Sequence, residues 1–166
     1  MKKTNAMRIL DGLKIKYETL SYDDDGEHEL SRGAASGIAE KLGIDPAACF
    51  KTIVMRSESK AIFVFCQSAE HEINLKKARN ACGAKEINPV KPEELLALTG
   101  YIRGGCSPVG MKKQFPTFIH ETCELFDYIY VSAGVRGLQF KLNPQDLIAV
   151  VDMKVADLTV FEFGPK

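Results

Sequence analysis

Apolar residues recur along the chain at two spacings, one helical and one alternating, and the change from one to the other separates its elements. Ala6, Ile9, Leu10 and Leu13 fall at i, i+3, i+4 and i+7, an apolar stripe that predicts a helix over 4–13, weakened near its end by Gly12. Residues 17–22 alternate as a strand does and run into Asp23, Asp24, Asp25 and Gly26, an acidic turn with no downstream set of cation ligands. Ala35, Ile38, Ala39 and Leu42 return to helical spacing, with Ser31 placed to cap the start and Gly43 to close the end.

Residues 50–56 and 61–66 are rich in β-branched and aromatic side chains and flank the polar Ser57-Glu58-Ser59-Lys60, which predicts a hairpin of central strands. Asn74 can cap a helix that carries Leu75, Ala78 and Cys82 on one face and stops at Gly83. Pro92 opens another, through Leu98, closed by Gly100. Strands are expected over 115–119, 128–131, 138–142 and 158–163, with a turn framed by Gly134 and Gly137 and a helix over 147–151 announced by Asn143-Pro144-Gln145-Asp146. Strands and short helices alternate without a regular βαβ period, so the pattern favours an α/β (α+β mixed) fold in one domain over 1–166.

Composition narrows the class. The chain has 166 residues, 45% of them hydrophobic, and its 22 Lys+Arg balance its 22 Asp+Glu. A domain of that size hides roughly 70% of its unfolded surface, enough for a core without staples. The longest stretch lacking a charged side chain, Ala61 to Ala69, is far shorter than the ~20 apolar residues that span a bilayer. The start is basic but leads into no apolar run, so neither signal peptide nor membrane partner is expected and a cytoplasmic protein is. Cys49, Cys66, Cys82, Cys106 and Cys123 form no C-x-x-C pair, and His28, His71 and His120 share no ligand spacing; the thiols read as small core residues, with no metal or cofactor implied.

Dinucleotide, Walker-type, zincin and nucleophile-elbow signatures are absent from the sequence. Two features stand out instead. Lys51 enters an apolar strand between Phe50 and Thr52, where burial is costly unless an anion or carboxylate meets the ammonium. The run Gly104-Gly105-Cys106-Ser107-Pro108 is either a tight turn or a loop whose successive N–H groups converge on an oxygen. Cys106 has no neighbouring histidine in sequence to serve as its base. Lys76, Lys77, Arg103, Lys112 and Lys113 are either solvated surface or a patch for a polyanion.

These positions, with Thr4-Asn5-Ala6, Leu75-Lys76-Lys77, Gly83-Ala84-Lys85, Thr99-Gly100-Tyr101, Ile129 to Gly134 and Arg136-Gly137-Leu138, give the chain an ordered set of short motifs along almost its whole length. In that set it resembles the YbaK/EbsC family, whose studied members are aminoacyl-tRNA deacylases related to the editing domain of bacterial prolyl-tRNA synthetase. The resemblance implies a mixed barrel-like sheet surrounded by helices, with a site between the lysine strand and the glycine loop. It places Lys51 on the family's functional lysine and Gly104 and Pro108 on the ends of its G-x-x-x-P loop, so that Gly105, Cys106 and Ser107 fall within the catalytic loop. Tyr22, Phe50, Thr52, Ser132, Gly134, Arg136 and Gln139 fall on or near the substrate pocket; where this chain has Gln139 some members carry an acid, so no carboxylate role is implied there. The expected substrate is Cys-tRNA(Pro), with Cys-tRNA(Cys) a further candidate, cleaved through attack by the substrate's own thiol. The expected partners are the 3′-terminal end of an aminoacyl-tRNA and, transiently, prolyl-tRNA synthetase; DNA is not among them. The alternatives are water-driven deacylation of Ala-tRNA(Pro) or another small aminoacyl-tRNA, and a catalytically silent module that binds tRNA or the synthetase.

Overall fold

The computed structural model describes residues 2–23 and 34–159, the side chains of 34–36 excepted. The first helix, α1 (Asn5–Gly12), begins where Thr4 accepts a hydrogen bond from the Met7 N–H on its Oγ1 at 3.1 Å. Its apolar stripe buries Ala6, Met7 and Leu10. Strand β1 (Tyr17–Ser21) precedes α2 (Ala34–Leu42), which ends before Gly43 at φ +66°. Ser31 and the rest of the acidic turn beyond Asp23 lie outside the described residues.

The expected hairpin is β2 (Phe50–Ser57) and β3 (Ile62–Ser68). Next come α3 (Leu75–Cys82), β4 (Ile87–Pro89), α4 (Pro92–Thr99), β5 (Thr117–His120), β6 (Ile129–Ser132), β7 (Leu138–Leu142), α5 (Pro144–Val151) and β8 (Lys154–Ala156). Asn74 caps α3 through its Oδ1, which accepts from the Lys77 N–H at 3.0 Å, and Gly83 and Gly100 end α3 and α4 in the left-handed region. The strand expected at 115–119 starts at Thr117, after Pro116, whose carbonyl still accepts from the Val64 N–H at 2.9 Å. Strand β8 covers Lys154–Ala156, a segment the pattern did not single out; of the strand expected over 158–163, Thr159 makes a bridge to Ile73 and residues beyond 159 lie outside the described residues. The three-residue strands β4 and β8 are too short to carry a periodic signal.

The strands form two sheets, an antiparallel β1-β7-β6 and a mixed β4-β2-β3-β5-β8 in which β5 runs parallel to β3 and β8. A parallel bridge from Cys49 to Tyr130 joins them, so the barrel-like sheet implied by the resemblance is realised as two sheets meeting along one seam. The main core lies between them: Phe50, Cys66 and Ile119 from the larger sheet pack with Ile129, Val131, Leu138, Phe140 and Leu142 from the smaller, closed by Ala6, Met7 and Leu10 of α1 and Leu147 and Val151 of α5. Met55, Phe65 and Phe118 turn the other way and pack with Ala78 of α3 and Leu158. Each fully buried Phe or Leu contributes roughly 1.5–3 kcal/mol. Cys49, Cys66 and Cys123 are buried as expected, each thiol pushed up to about 12 by desolvation.

Candidate functional site

Side chains on a strand alternate between faces, and that parity sorts the residues around Lys51. Phe50 is in the main core, as is Cys66, the ladder partner of Thr52; Lys51 therefore points to the opposite face, together with Ile53 and Met55. Gln67 stands directly opposite Lys51 in the β2–β3 ladder. The bridge from Cys49 to Tyr130 sets Lys51 alongside Ser132, which is paired with Gln139, itself paired with Leu20. On the other side the β3–β5 register that pairs Cys66 with Ile119 brings His120 beside Gln67. One transverse row thus runs Gln139, Ser132, Lys51, Gln67, His120 across five strands and both sheets, on the face turned away from the main core. All five are polar, Lys51 is half-buried, and the other four are buried.

The seam beside Lys51 is open. On the edge of β2 away from β3, Cys49 meets β6, and the next described strand contact is β4 at Met55, preceded by the Val90 N–H on the Val54 carbonyl at 3.0 Å. Between these contacts, residues 51–53 have no hydrogen-bonded strand partner on this edge among the described residues, although β6 packs beside them.

The glycine loop closes against this region. Gly104 takes φ +87°, a left-handed conformation that suits glycine, and the Gly105 N–H donates to the Ile102 carbonyl at 2.9 Å. A Cβ on Gly105 would lie 3.0 Å from both the Val135 carbonyl carbon and the Arg136 nitrogen, so the loop packs backbone to backbone on the β6–β7 turn that follows Ser132. Arg136 Nε fastens the two by donating to the Arg103 carbonyl at 2.9 Å. Gly134, at φ +107°, lies under the Tyr101 ring and donates to Ser132 Oγ at 3.1 Å. Tyr101 Oη in turn donates to the Val109 carbonyl at 2.5 Å, and Thr4 Oγ1 to the Ala133 carbonyl at 2.7 Å.

Within the loop the N–H of Gly105 is committed to its turn and that of Val109 to Ser107 Oγ at 3.2 Å. Among the described residues, the N–H groups of Gly104, Cys106 and Ser107 have no hydrogen-bond partner. Those three are the donors the loop can offer to an oxygen. Cys106 packs against Val54, Val64, Leu95 and Phe115, and its thiol is pushed up to about 12, burial outweighing a hydrogen bond with Thr99. A thiol held neutral in this way lacks the thiolate that a nucleophile needs.

Of the residues named from the sequence, the strand register puts Ser132 and Gln139 in the row with Lys51, and the loop packs on the β6–β7 turn that carries Gly134 and Arg136. Tyr22 reaches the same turn, its N–H donating to the Gly137 carbonyl at 3.0 Å, and its hydroxyl is buried without a hydrogen-bond partner among the described residues. Phe50 and Thr52 flank Lys51 in the chain yet face the core side, where Thr52 Oγ1 lies 3.7 Å from Cys66 Sγ. Sequence reasoning missed Gln67 and His120; the available signal was a lone amide closing the apolar run Phe63-Val64-Phe65-Cys66. The basic residues do not form one patch. Lys77 is held by Asp157 at 2.8 Å and by the Thr159 carbonyl at 2.8 Å, and α3 covers the face opposite the one on which Cys106 of the loop packs. No group of three or more His, Cys, Asp or Glu among the described residues is arranged to hold a metal, and no described helix is long and apolar enough to cross a membrane.

Comparison with known proteins places the chain in context. Residues 32–150 match the profile of a family described as an aminoacyl-tRNA editing domain. The chain is 39% identical over 160 residues to the provisionally named Cys-tRNA(Pro)/Cys-tRNA(Cys) deacylase EbsC of Enterococcus faecalis, covering 96% of this chain and 95% of that one. It is 31% identical over 91 residues to the proline–tRNA ligase of Bacillus licheniformis, covering 55% of this chain but 16% of the ligase. A crystal structure titled as a provisional trans-editing enzyme for prolyl tRNA synthetase superposes with a TM-score of 0.79 at 23% identity, over 97% of this chain and 100% of that one.

Proposed function

The chain belongs to the aminoacyl-tRNA editing family, and from that premise we propose that it is a trans-editing deacylase that releases cysteine from mischarged Cys-tRNA(Pro), with Cys-tRNA(Cys) as a second substrate. The reading is supported by the polar row that sets Ser132 beside Lys51 and by the packing of the glycine loop on the turn that follows Ser132, in a chain whose likeness to EbsC runs nearly end to end. Among the described residues the site offers the cations Lys51 and Arg136 and a set of backbone donors, with no nucleophile–base pair. Such an inventory suits an ester that is already activated and needs positioning.

In the proposed mechanism the ester carbonyl lies against the loop, where the N–H groups of Gly104, Cys106 and Ser107 receive the developing oxyanion. A well-placed donor of this kind contributes ~3 kcal/mol in acyl-transfer sites. Lys51 holds the ribose or terminal phosphate through charge-assisted hydrogen bonds. The cysteine sulfur of the substrate then attacks its own carbonyl carbon; the S–C bond forms, the C–O bond to the ribose breaks, and the thiol proton passes to the leaving ribose oxygen. The products are a cyclic thiolactone and free tRNA. Held close, the thiol gains an effective molarity of up to ~10⁵ M or more, so the protein supplies no nucleophile of its own.

A separate editing site has a physical reason to exist, since side chains of similar size differ in binding by only ~1–3 kcal/mol. Prolyl-tRNA synthetase is accordingly the proposed transient partner. Release of labelled amino acid from Cys-tRNA(Pro) and Ala-tRNA(Pro) tests the reading. Cysteine should be released by the wild type and spared by Lys51→Ala, and alkylation of the substrate thiol should stop turnover. Release of alanine in its place would remove the thiol mechanism, and release of neither would leave a binding module.

A further inference from the structure

Gln67 carries an unmet demand. Its side chain is fully buried, its Nε2 donates to the His71 carbonyl at 2.7 Å, and its Oε1 is buried with no hydrogen-bond partner among the described residues. The bond to a carbonyl fixes the orientation of the amide, because only the nitrogen can donate there. A buried acceptor without a donor is costly, so such a group calls for a partner that this state of the protein does not supply.

The row of residues on this face identifies that partner. Gln67 has two neighbours in register, His120 on β5 and Lys51 on β2. His120 is already committed: its Nδ1 accepts from the Leu158 N–H at 2.9 Å, and its Nε2 lies 3.2 Å from Thr159 Oγ1. Because Nδ1 accepts, the ring proton is on Nε2 and is directed at Thr159, so His120 has no donor to offer. Lys51 is the direct cross-strand neighbour, on the same face, where paired side chains start about 5 Å apart. An ammonium carries three donors, so a bond elsewhere leaves capacity for Gln67.

We propose that Gln67 is a positioning residue for Lys51: when substrate occupies the seam, Oε1 accepts a hydrogen bond from Nζ, aims the ammonium along the row towards Ser132, and favours its protonated form. The His71 carbonyl anchors the amide from behind. This rests on the proposed role of Lys51 in deacylation, but the pairing can be read without activity. The other ionisable groups around this end of the face are His120, His71, Lys77, Asp157 and Glu121, whose fields are the same in every Gln67 variant.

The test uses the full chain with Gln67→Leu and Gln67→Glu, with Gln67→Met replacing the leucine variant should that one not fold. In deacylation of Cys-tRNA(Pro), the apolar variant should lose about tenfold in kcat with KM within about twofold, as expected when a charge-assisted bond made during reaction is removed. Gln67→Glu should keep more of kcat, and the alkaline limb of its pH profile should move up, since a carboxylate favours the ammonium. Independently, with a non-hydrolysable amide analogue of the cysteinyl-adenosine end bound, the Lys51 side-chain NMR signal, assigned with Lys51→Arg, should titrate at lower pH in the apolar variant and at higher pH in Gln67→Glu. An apolar variant with wild-type kcat, or a Lys51 titration unmoved by both substitutions, overturns the proposal. A moved titration in a protein that deacylates neither substrate would uphold the pairing and sink the proposed function instead.

Discussion

Strand β2 carries two cations five residues apart, and the two ends of the strand treat them differently. Arg56 donates from its Nη2 to Glu94 Oε2 at 2.6 Å, at the mouth of a polar cleft also lined by Glu58, Glu86, Asn88 and Lys91. The pair is about a third exposed; the Glu94 hydrogen bond raises the Arg56 pKa, and the Arg56 bond lowers that of Glu94. Each charge satisfies the other, and water screens what is left. Lys51 is half-buried, and its neighbours in register, Gln67 and Ser132, are neutral. The lesson is that two cations on one strand are told apart by their surroundings: Arg56 meets a matched carboxylate in an ordinary surface pair, while Lys51 stands in a row of neutral polar side chains.

The largest effect should separate those two ends. Lys51→Ala should lower release of cysteine from Cys-tRNA(Pro) by about a hundredfold or more, while Arg56→Ala leaves it within about twofold. Equal losses in the two variants would erase the distinction between the ends. Next comes the loop. Gly105→Ala forces a Cβ against the backbone of Val135 and Arg136, so it should cost about 1–3 kcal/mol in urea denaturation and lower activity with it. Gly12→Ala, whose Cβ would meet nothing within 4 Å, should be neutral or stabilise α1 by up to about 1 kcal/mol.

Cys106→Ala should retain most of the activity, because a thiol pushed up to about 12 supplies almost no thiolate at neutral pH. Loss comparable to that of Lys51→Ala would make the cysteine a reacting group. His120 predicts a pH dependence of stability. Burial lowers its pKa from the ordinary 6.5, against the opposing pull of Asp157 at 3.9 Å. Below 6.5 the unfolded chain takes up the proton more readily than the folded one, so the contribution is complete above about 6.5 and is lost as pH falls from there through the folded value. Denaturation midpoints at pH 7.5 and at pH 5 should show the fall, and His120→Gln should flatten it. The smallest effect belongs to the exposed pair: Glu94→Gln should shift Tm by no more than about 2 °C.

Much of this fold was legible in the sequence wherever a local cause sufficed. Asn74 and Gly83 bracket α3 because a side-chain oxygen can serve the first N–H groups and glycine can take a positive φ, and neither effect depends on the rest of the chain. The hairpin β2–β3 could be read because its two β-rich segments flank a short polar link. The helix signalled by Asn143-Pro144 also appears, starting at Pro144, where the cap dictates, three residues before the apolar run that was used to place it. The three-residue strands β4 and β8 were not legible, because their pairing is set by neighbours distant in the chain.

The site divides in the same way. The sequence by itself determined that Lys51 sits in an apolar strand and that residues 104–108 form a glycine-rich loop, because residue type and local spacing carry both statements. It also determined the family, through an ordered set of short motifs. Only the tertiary structure decided that Phe50 and Thr52 turn away from Lys51 and that Gln67 and His120 join its row. Strand parity is local, but which face meets the core, and which residue stands across the ladder, depends on register between segments that the chain order separates. That register follows from burying Phe50, Cys66, Ile119, Val131 and Phe140 together, and the polar row is what the same register leaves on the other face.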